Sequence, residues 1–560
     1  MKIHRTSQKK SARFSVSLIF LIVLVGFLSW AYEQITIPNF DSLIPNDVAF
    51  FGEVTLSPRI IEKLKPVFNT EDLSLLAQNL TNNQFELDFQ KDVFPNIGDH
   101  IGVALWENKE FAVIMNQSSR SQTEALLQKF ILPGEAFQKK KESWGELWTP
   151  NFSSQLAFGF YKNYVILGSS KETVEKIGSS SSKLNQNHFY QSIKQEKPDS
   201  SFFSVYINSE KILPYIFSQK FVSMEPLLKA TTKAFPGIGF FATFDDQGVV
   251  INGKMMADEN IFPDKLQLSI PLFSKEATPL AQFSGKDTLL FTNGQNLFAK
   301  YQDTKDFLGR FDSQWSLIFE GIIRGRMRDI FGENMDFEKD ILPYFNGPYA
   351  IILNEEETPA PFLSYTLVTQ LQKIDGKSLA LDEIIKKAQS HFAPQIKTVE
   401  LPDGTKREEL VASEKITEPL EKVSFGKYTY FRVPQSSDPT KKFSYGFADD
   451  YFLFSTNDTG IKKALTALTS GQNLLTTNAI KQSINLNLGK PDSFSYLNFE
   501  KFSALASLLK VVQQDTNTPP EIQNQGLSVT NLILSKFKDA IFTRKTSSQG
   551  VTVKAILFFH

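Results

Sequence analysis

The sequence predicts an α+β protein: two tandem related domains, each an antiparallel sheet covered by helices, behind one N-terminal transmembrane helix. Three observations predict it. Residues 14–32 form an uncharged apolar run, five segments recur in the same order along the chain, and the hydrophobic period alternates between 2 and 3.6. At 560 residues the chain is too long for one ordinary core.

The run from Phe14 to Tyr32 contains no charge. Nineteen residues rising ~1.5 Å each span roughly 28 Å, close to the ~30 Å hydrocarbon core of a bilayer. Lys2, Arg5, Lys9, Lys10 and Arg13 precede it and Glu33 follows. The positive-inside rule then puts the N-terminus in the cytoplasm and the bulk outside. Trp30 and Tyr32 suit the outer aromatic belt. The competing reading is a cleaved signal peptide, because Ser29 and Ala31 place small residues before a cut. Both readings predict an extracytoplasmic body.

Composition narrows the function. Forty-one per cent apolar and 22% charged residues make an ordinary globular chain rather than a disordered one. A net charge of −1 argues against nucleic acid, whose binding needs clustered Lys and Arg. The chain has no cysteine, which excludes disulfides, thiolate chemistry and iron–sulfur clusters. A eukaryotic secreted protein of this size usually carries disulfides, so a bacterial envelope protein is the expectation.

The duplication is traced by five matches. Pro45-Asn46-Asp47 opens the first copy and Gly285-Lys286-Asp287 the second, 240 residues on. Asp88-Phe89-Gln90-Lys91-Asp92-Val93-Phe94-Pro95 answers Asp336-Phe337-Glu338-Lys339-Asp340-Ile341-Leu342-Pro343. Phe158 to Tyr164 answers Tyr445 to Tyr451, and Tyr206-Ile207-Asn208 answers Tyr496-Leu497-Asn498. Asp246-Gln247-Gly248 answers Ser548-Gln549-Gly550, now 302 residues apart. The growing offset places insertions in the second copy, at Glu355 to Pro361 and at Leu401-Pro402-Asp403-Gly404-Thr405, both loop chemistry. The organisation that follows is a cytoplasmic N-terminus 1–13, the membrane helix 14–32, a juxtamembrane linker 33–43, a first repeat 44–256, a linker 257–282 and a second repeat 283–560.

Strands are expected at Val48–Val54, Ile101–Leu105, Phe111–Met115, Leu156–Tyr161, Tyr164–Leu167 and Phe202–Ile207, where apolar runs are short and β-branched or aromatic. Helices are expected at Ser121–Phe130, Lys171–Ile177 and Asp312–Phe331. The last carries Trp315, Ile318, Phe319, Ile322, Ile323 and Met327 at helical spacing. The Pro-x-Asp opening, the Asp-Phe-x-Lys-Asp…Pro segment, Tyr164 to Val174 and Phe203 to Asn208 together resemble the bacterial domain of unknown function 3352 family. The resemblance covers most of residues 44–560. It implies an N-terminal anchor, an extracytoplasmic location and a fold, and it brings no functional residues with it.

No constellation demands chemistry. Asp88/Asp92 and Asp336/Asp340 lie four apart, which could bind a cation but equally caps a helical turn. His4, His100, His188, His391 and His560 form no ligand pair. Ser180-Ser181-Ser182-Lys183 and Ser535-Lys536-Phe537-Lys538 fit S-x-x-K without its partner motifs. Arg324, Arg326 and Arg328 either complement a helix C-terminus or meet an anionic lipid or polymer. The expectation is therefore no enzyme: no catalytic, cofactor-binding or metal residue, no cofactor, and the lipid bilayer at residues 14–32 as the one definable partner. A binding or scaffolding ectodomain is favoured. A carboxylate-pair hydrolase between the domains and a folding factor for exported proteins are the alternatives.

Overall fold

The computed structural model describes residues 40–55, 58–64, 97–117, 119–126, 137–151, 157–216, 225–246, 248–258, 275–311, 313–331, 336–355, 363–371, 381–383, 385, 395–411, 420–434, 442–485, 493–502, 535–547 and 550–560. The apolar run 14–32, Asp88 to Pro95, His4 and His391 lie outside the described residues. Among the described residues no helix is long and apolar enough to cross a membrane. The chain divides into two compact units, residues 1–266, 513–538 and 547–560 against residues 267–512 and 539–546.

The first ten strands of the first unit are β1 (Phe50–Thr55), β2 (Ile97–Leu105), β3 (Phe111–Gln117), β4 (Phe137–Glu142), β5 (Gly145–Pro150), β6 (Ala157–Tyr161), β7 (Tyr164–Gly168), β8 (Phe203–Asn208), β9 (Gly237–Asp245) and β10 (Gly248–Met256). Antiparallel pairing sets the order β4-β5-β6-β7-β3-β2-β1-β8-β9-β10. β1 is thus an inner strand, and its four central residues are buried. Phe40, Ile44, Trp106, Ile166, Val174 and Tyr206 belong to the core on which the sheet and its helices pack.

The second unit holds β11 (Leu290–Gly294), β12 (Tyr349–Glu355), β13 (Leu363–Gln370), β14 (Gln395–Glu400), β15 (Lys406–Val411), β16 (Glu421–Phe425), β17 (Tyr428–Pro434), β18 (Lys442–Ala448), β19 (Tyr451–Ser455), β20 (Ser493–Asn498) and residues 539–546 of β21 (Phe537–Ser547). Its order is β16-β17-β18-β19-β13-β12-β11-β20-β21. Each strand there stands where its counterpart stands in the first unit. β14 and β15 form a separate hairpin, closed by Leu401 to Thr405 with Gly404 at φ +81°. The insertion expected to be a loop is a turn flanked by two strands.

Local chemistry repeats as well. β6–β7 and β18–β19 turn through Lys162 (φ 51°) and Asp449 (φ 53°), the left-handed backbone that a two-residue hairpin requires. Helix Lys171–Ser179 starts at Ser170, whose Oγ accepts from the Thr173 N–H at 3.1 Å. Helix Asp458–Ser470 starts at Asn457, whose Oδ1 accepts from Gly460, and it ends at left-handed Gly471. Capping of this kind contributes ~1 kcal/mol and fixes where each helix begins.

The last strand, β22 (Gly550–Phe559), belongs to the first unit, where it pairs with β10 from Gly248↔Phe558 to Met256↔Gly550. β10 and β22 are the two segments that answer each other at an offset of 302 residues, so the register is symmetric about Asn252↔Lys554.

Two sequence expectations need adjustment. The segment read as a linker contains the 3-10 helix Lys275–Phe283, whose Leu280, Ala281 and Phe283 are buried. Helix Ser313–Phe331 forms, but Leu317, Ile318 and Ile322 are exposed. Its apolar stripe is wider than the face its neighbour Leu297–Phe311 covers, and among the described side chains Trp315, Phe319, Ile323 and Met327 are half-buried.

Candidate binding site

The inner position of β1 places one charged residue where a charge is costly. Glu53 sits among Phe51, Gly52 and Val54 and is 8% exposed. Cross-strand neighbours directly opposite share a face, and Glu53 lies opposite Ser204 of β8 while Thr55 lies opposite His100 of β2. The Ser204 hydroxyl donates to Glu53 Oε2 at 3.1 Å. Lys197, just beyond helix His188–Lys194, donates to the same oxygen at 2.9 Å. His100 Nδ1 stands 3.7 Å from Glu53 Oε1 and 3.2 Å from Thr55 Oγ1.

A second ion pair lies beside this one. Asp41, in the 3-10 helix Phe40–Ser42, is 2% exposed and accepts from Lys194 Nζ at 2.5 Å. Tyr190, one turn earlier on the Lys194 helix, is fixed by a hydrogen bond from its N–H to Asn187 Oδ1 and by an edge contact with Tyr206. Over these pairs opens a cavity of about 750 Å³, entirely within the first unit. Glu53, Thr55, Tyr190, Lys194 and Lys197 line it from the sheet side. Arg59, Ile60 and Lys63 of helix Pro58–Leu64 line another side, and Phe244 of β9 a third. Phe244 is held by stacking on Phe202, with ring centroids 4.2 Å apart.

Burial pushes the Glu53 carboxyl up, while His100 and the Lys197 ammonium push it down further, to about 2. Glu53 is therefore a fixed anion at neutral pH, poorly suited to give or take a proton during a reaction. The Tyr190 phenol is pushed up by burial and by the carboxylates of Asp41 and Glu53, and stays neutral. Asp41 Oδ1, His100 Nε2, Ser201 Oγ and Tyr206 Oη are buried without a hydrogen-bond partner. Of these four residues Ser201 lines the cavity, and such atoms are unusual because buried polar groups are normally satisfied.

The profile of the family described as "Protein of unknown function (DUF3352)" matches residues 17–401, more than half of the chain. The chain belongs to this family. No curated protein matches it. Two solved structures, crystal forms I and IV of TP0453, align at 10% and 11% identity, each over 42% of this chain and 88% and 87% of theirs. Their TM-score of 0.25 is too low to establish a common fold.

Within this DUF3352 protein the second unit supplies an internal comparison. Backbone bonds fix the equivalence: Asn208 N–H to Ala49 O matches Asn498 N–H to Leu289 O, and Leu184 N–H to Ile44 O matches Leu474 N–H to Ser284 O. Where the first unit has Glu53, His100, Ser204, Asp41 and Tyr190, the second has Asn293, Pro348, Phe494, Ala281 and Ile480. Asn293 Oδ1 accepts from the Phe494 N–H at 3.1 Å. The same strand order thus forms without the charged layer.

The residues singled out from sequence lie elsewhere. Asp336 Oδ1 accepts from the Glu338 and Lys339 N–H groups, and Asp340 Oδ2 accepts from the Asp336 N–H, so this pair caps a short π-helix. Asp88 and Asp92 lie outside the described residues. Lys183 of the S-x-x-K match donates to Leu43 O and Ile177 O, and Ser180 Oγ to Ser182 O. In the second S-x-x-K match, Ser535 and Lys538 are exposed. Arg324 pairs with Glu320 on its own helix; Arg326 and Arg328 are exposed beside it. His188 and His560 stand apart from the cavity, and only His100 belongs to the charged layer. Among the described residues no group of three His, Cys, Asp or Glu could hold a metal. Glu53 was missed. The signal was available: a lone charge inside Phe50-Phe51-Gly52-Glu53-Val54, a run apolar enough to be an inner strand.

Proposed function

We propose that the protein is a membrane-anchored, extracytoplasmic binding protein without enzymatic activity, built from two copies of one α+β module, and that the cavity of the first unit is its ligand site. One observation carries the reading. The charged layer beneath the cavity is present in one unit and replaced by neutral residues in the other, although both build the same sheet. A feature that the fold does without in its own second copy is better explained by a ligand than by folding. The cavity lies within the size range of small-molecule sites, with an apolar wall and a few convergent polar groups. Glu53 and Asp41 each face a lysine rather than each other, which fits carboxylate-pair hydrolysis poorly. The uncharged run 14–32 behind five cations supports the anchor and the outward location.

Native mass spectrometry of gently extracted protein tests this. The wild type is expected to carry a small molecule that is absent from Ile60→Trp, whose indole fills the cavity from the exposed helix. Equal retention by both proteins, or hydrolytic turnover of peptide, ester or peptidoglycan substrates by the wild type, contradicts it.

A further inference from the structure

The cavity also indicates what kind of ligand it takes, an inference that rests on its being the ligand site. Lys197 is matched by Glu53 and Lys194 by Asp41, so these two cations are already spoken for. That leaves Arg59 and Lys63, both exposed and on one side of helix Pro58–Leu64, against Asp199 alone. Residues four apart on a helix share a face, so the guanidinium and the ammonium flank the cavity together. Ser201, 7% exposed, also lines the wall, with its Oγ buried and without a hydrogen-bond partner. Ile60, Pro198, Phe244 and the Tyr190 ring supply apolar surface between these groups.

We infer that the first unit binds an organic anion, a carboxylate or a phosphate on an apolar body. The anionic head meets Arg59 and Lys63 above the cavity floor that Glu53, Lys194 and Lys197 line, and the body lies against Ile60 and the stacked Phe244. Arg59 suits such a head because its planar fork can donate two parallel hydrogen bonds. A neutral analogue of the same shape leaves both cations unanswered.

The test is calorimetric titration of the full chain in phosphatidylcholine nanodiscs with four probes: benzoate, phenyl phosphate, benzamide and inorganic phosphate. Benzoate and phenyl phosphate are expected to bind at millimolar concentration, and benzamide at least about tenfold more weakly, one charge-assisted hydrogen bond being worth that much. Inorganic phosphate, lacking the apolar body, is expected to bind more weakly than phenyl phosphate. Arg59→Gln with Lys63→Gln, both solvent-facing and so harmless to folding, should bring the two organic anions down to the benzamide level. Benzamide binding as tightly as benzoate, inorganic phosphate as tightly as phenyl phosphate, or anion binding untouched by the double variant overturns the assignment. The ligand-site reading fails separately if Ile60→Trp leaves all binding unchanged or if no probe binds.

Discussion

Glu53→Ala is expected to destabilise the first unit by roughly 3 kcal/mol at pH 7, the largest single-residue effect foreseen for this protein. The carboxyl stands at about 2 in the folded chain against an ordinary 4.5. At ~1.4 kcal/mol per pH unit that difference is worth roughly 3 kcal/mol. It lies at the lower end of the ~3–5 kcal/mol lost when one partner of a buried ion pair is removed, since alanine leaves the part-exposed Lys197 without its carboxylate. The sign follows from the lowered value. Stability from Glu53 is fully present above about 4.5 and is lost as pH falls toward 2. Melting of wild type and Glu53→Ala should therefore differ by about 6–12 °C at neutral pH and converge near pH 2–3. A gap independent of pH would show that the carboxylate charge is not what stabilises the strand.

Ending the chain at Ser547 is expected to be worse. β22 pairs with β10 along its whole length and brings Ala555, Ile556 and Phe558 into the core. Burial of side chains of this size contributes ~1.5–3 kcal/mol for each large one, so removing residues 548–560 should cost about 4–6 kcal/mol before the lost ladder is counted. It also strips β10 to an open edge carrying Val249 and Val250, a template for pairing with another chain. The truncated protein should lose its first-unit transition in calorimetry and self-associate in sedimentation. A monomer with an unchanged first transition would mean that β22 contributes little to that unit.

How far the sequence went is clear from particular elements. The hairpin Tyr161-Lys162-Asn163-Tyr164, the capped helix after Ser170 and the strand β1 were legible, because turn chemistry, an N-cap and a short aromatic run are local signals. The topology of the pairings was not. That β1 lies between β2 and β8, and that β22 joins β10, depends on contacts between residues 50 and several hundred positions apart, which no local pattern encodes. The candidate site failed to appear for the same reason. Asp41, Glu53, His100, Tyr190, Lys197 and Ser204 share no spacing, and only the sheet register and one helix end bring them together. The Asp336/Asp340 pair drew notice because its sequence repeats, and where it is described it caps a turn.

One double variant separates a ligand-binding role of the first unit's charged layer from a folding role. Glu53→Gln with Lys197→Met removes both charges together and leaves neither partner stranded. Neutral replacement of a buried pair is often harmless or stabilising, as the Asn293 position of the second unit already illustrates. The first unit should therefore melt within about 1 kcal/mol of wild type, while retention of the co-purifying small molecule, read by native mass spectrometry, falls away. A double variant as unstable as Glu53→Ala that still retained its ligand would contradict the account.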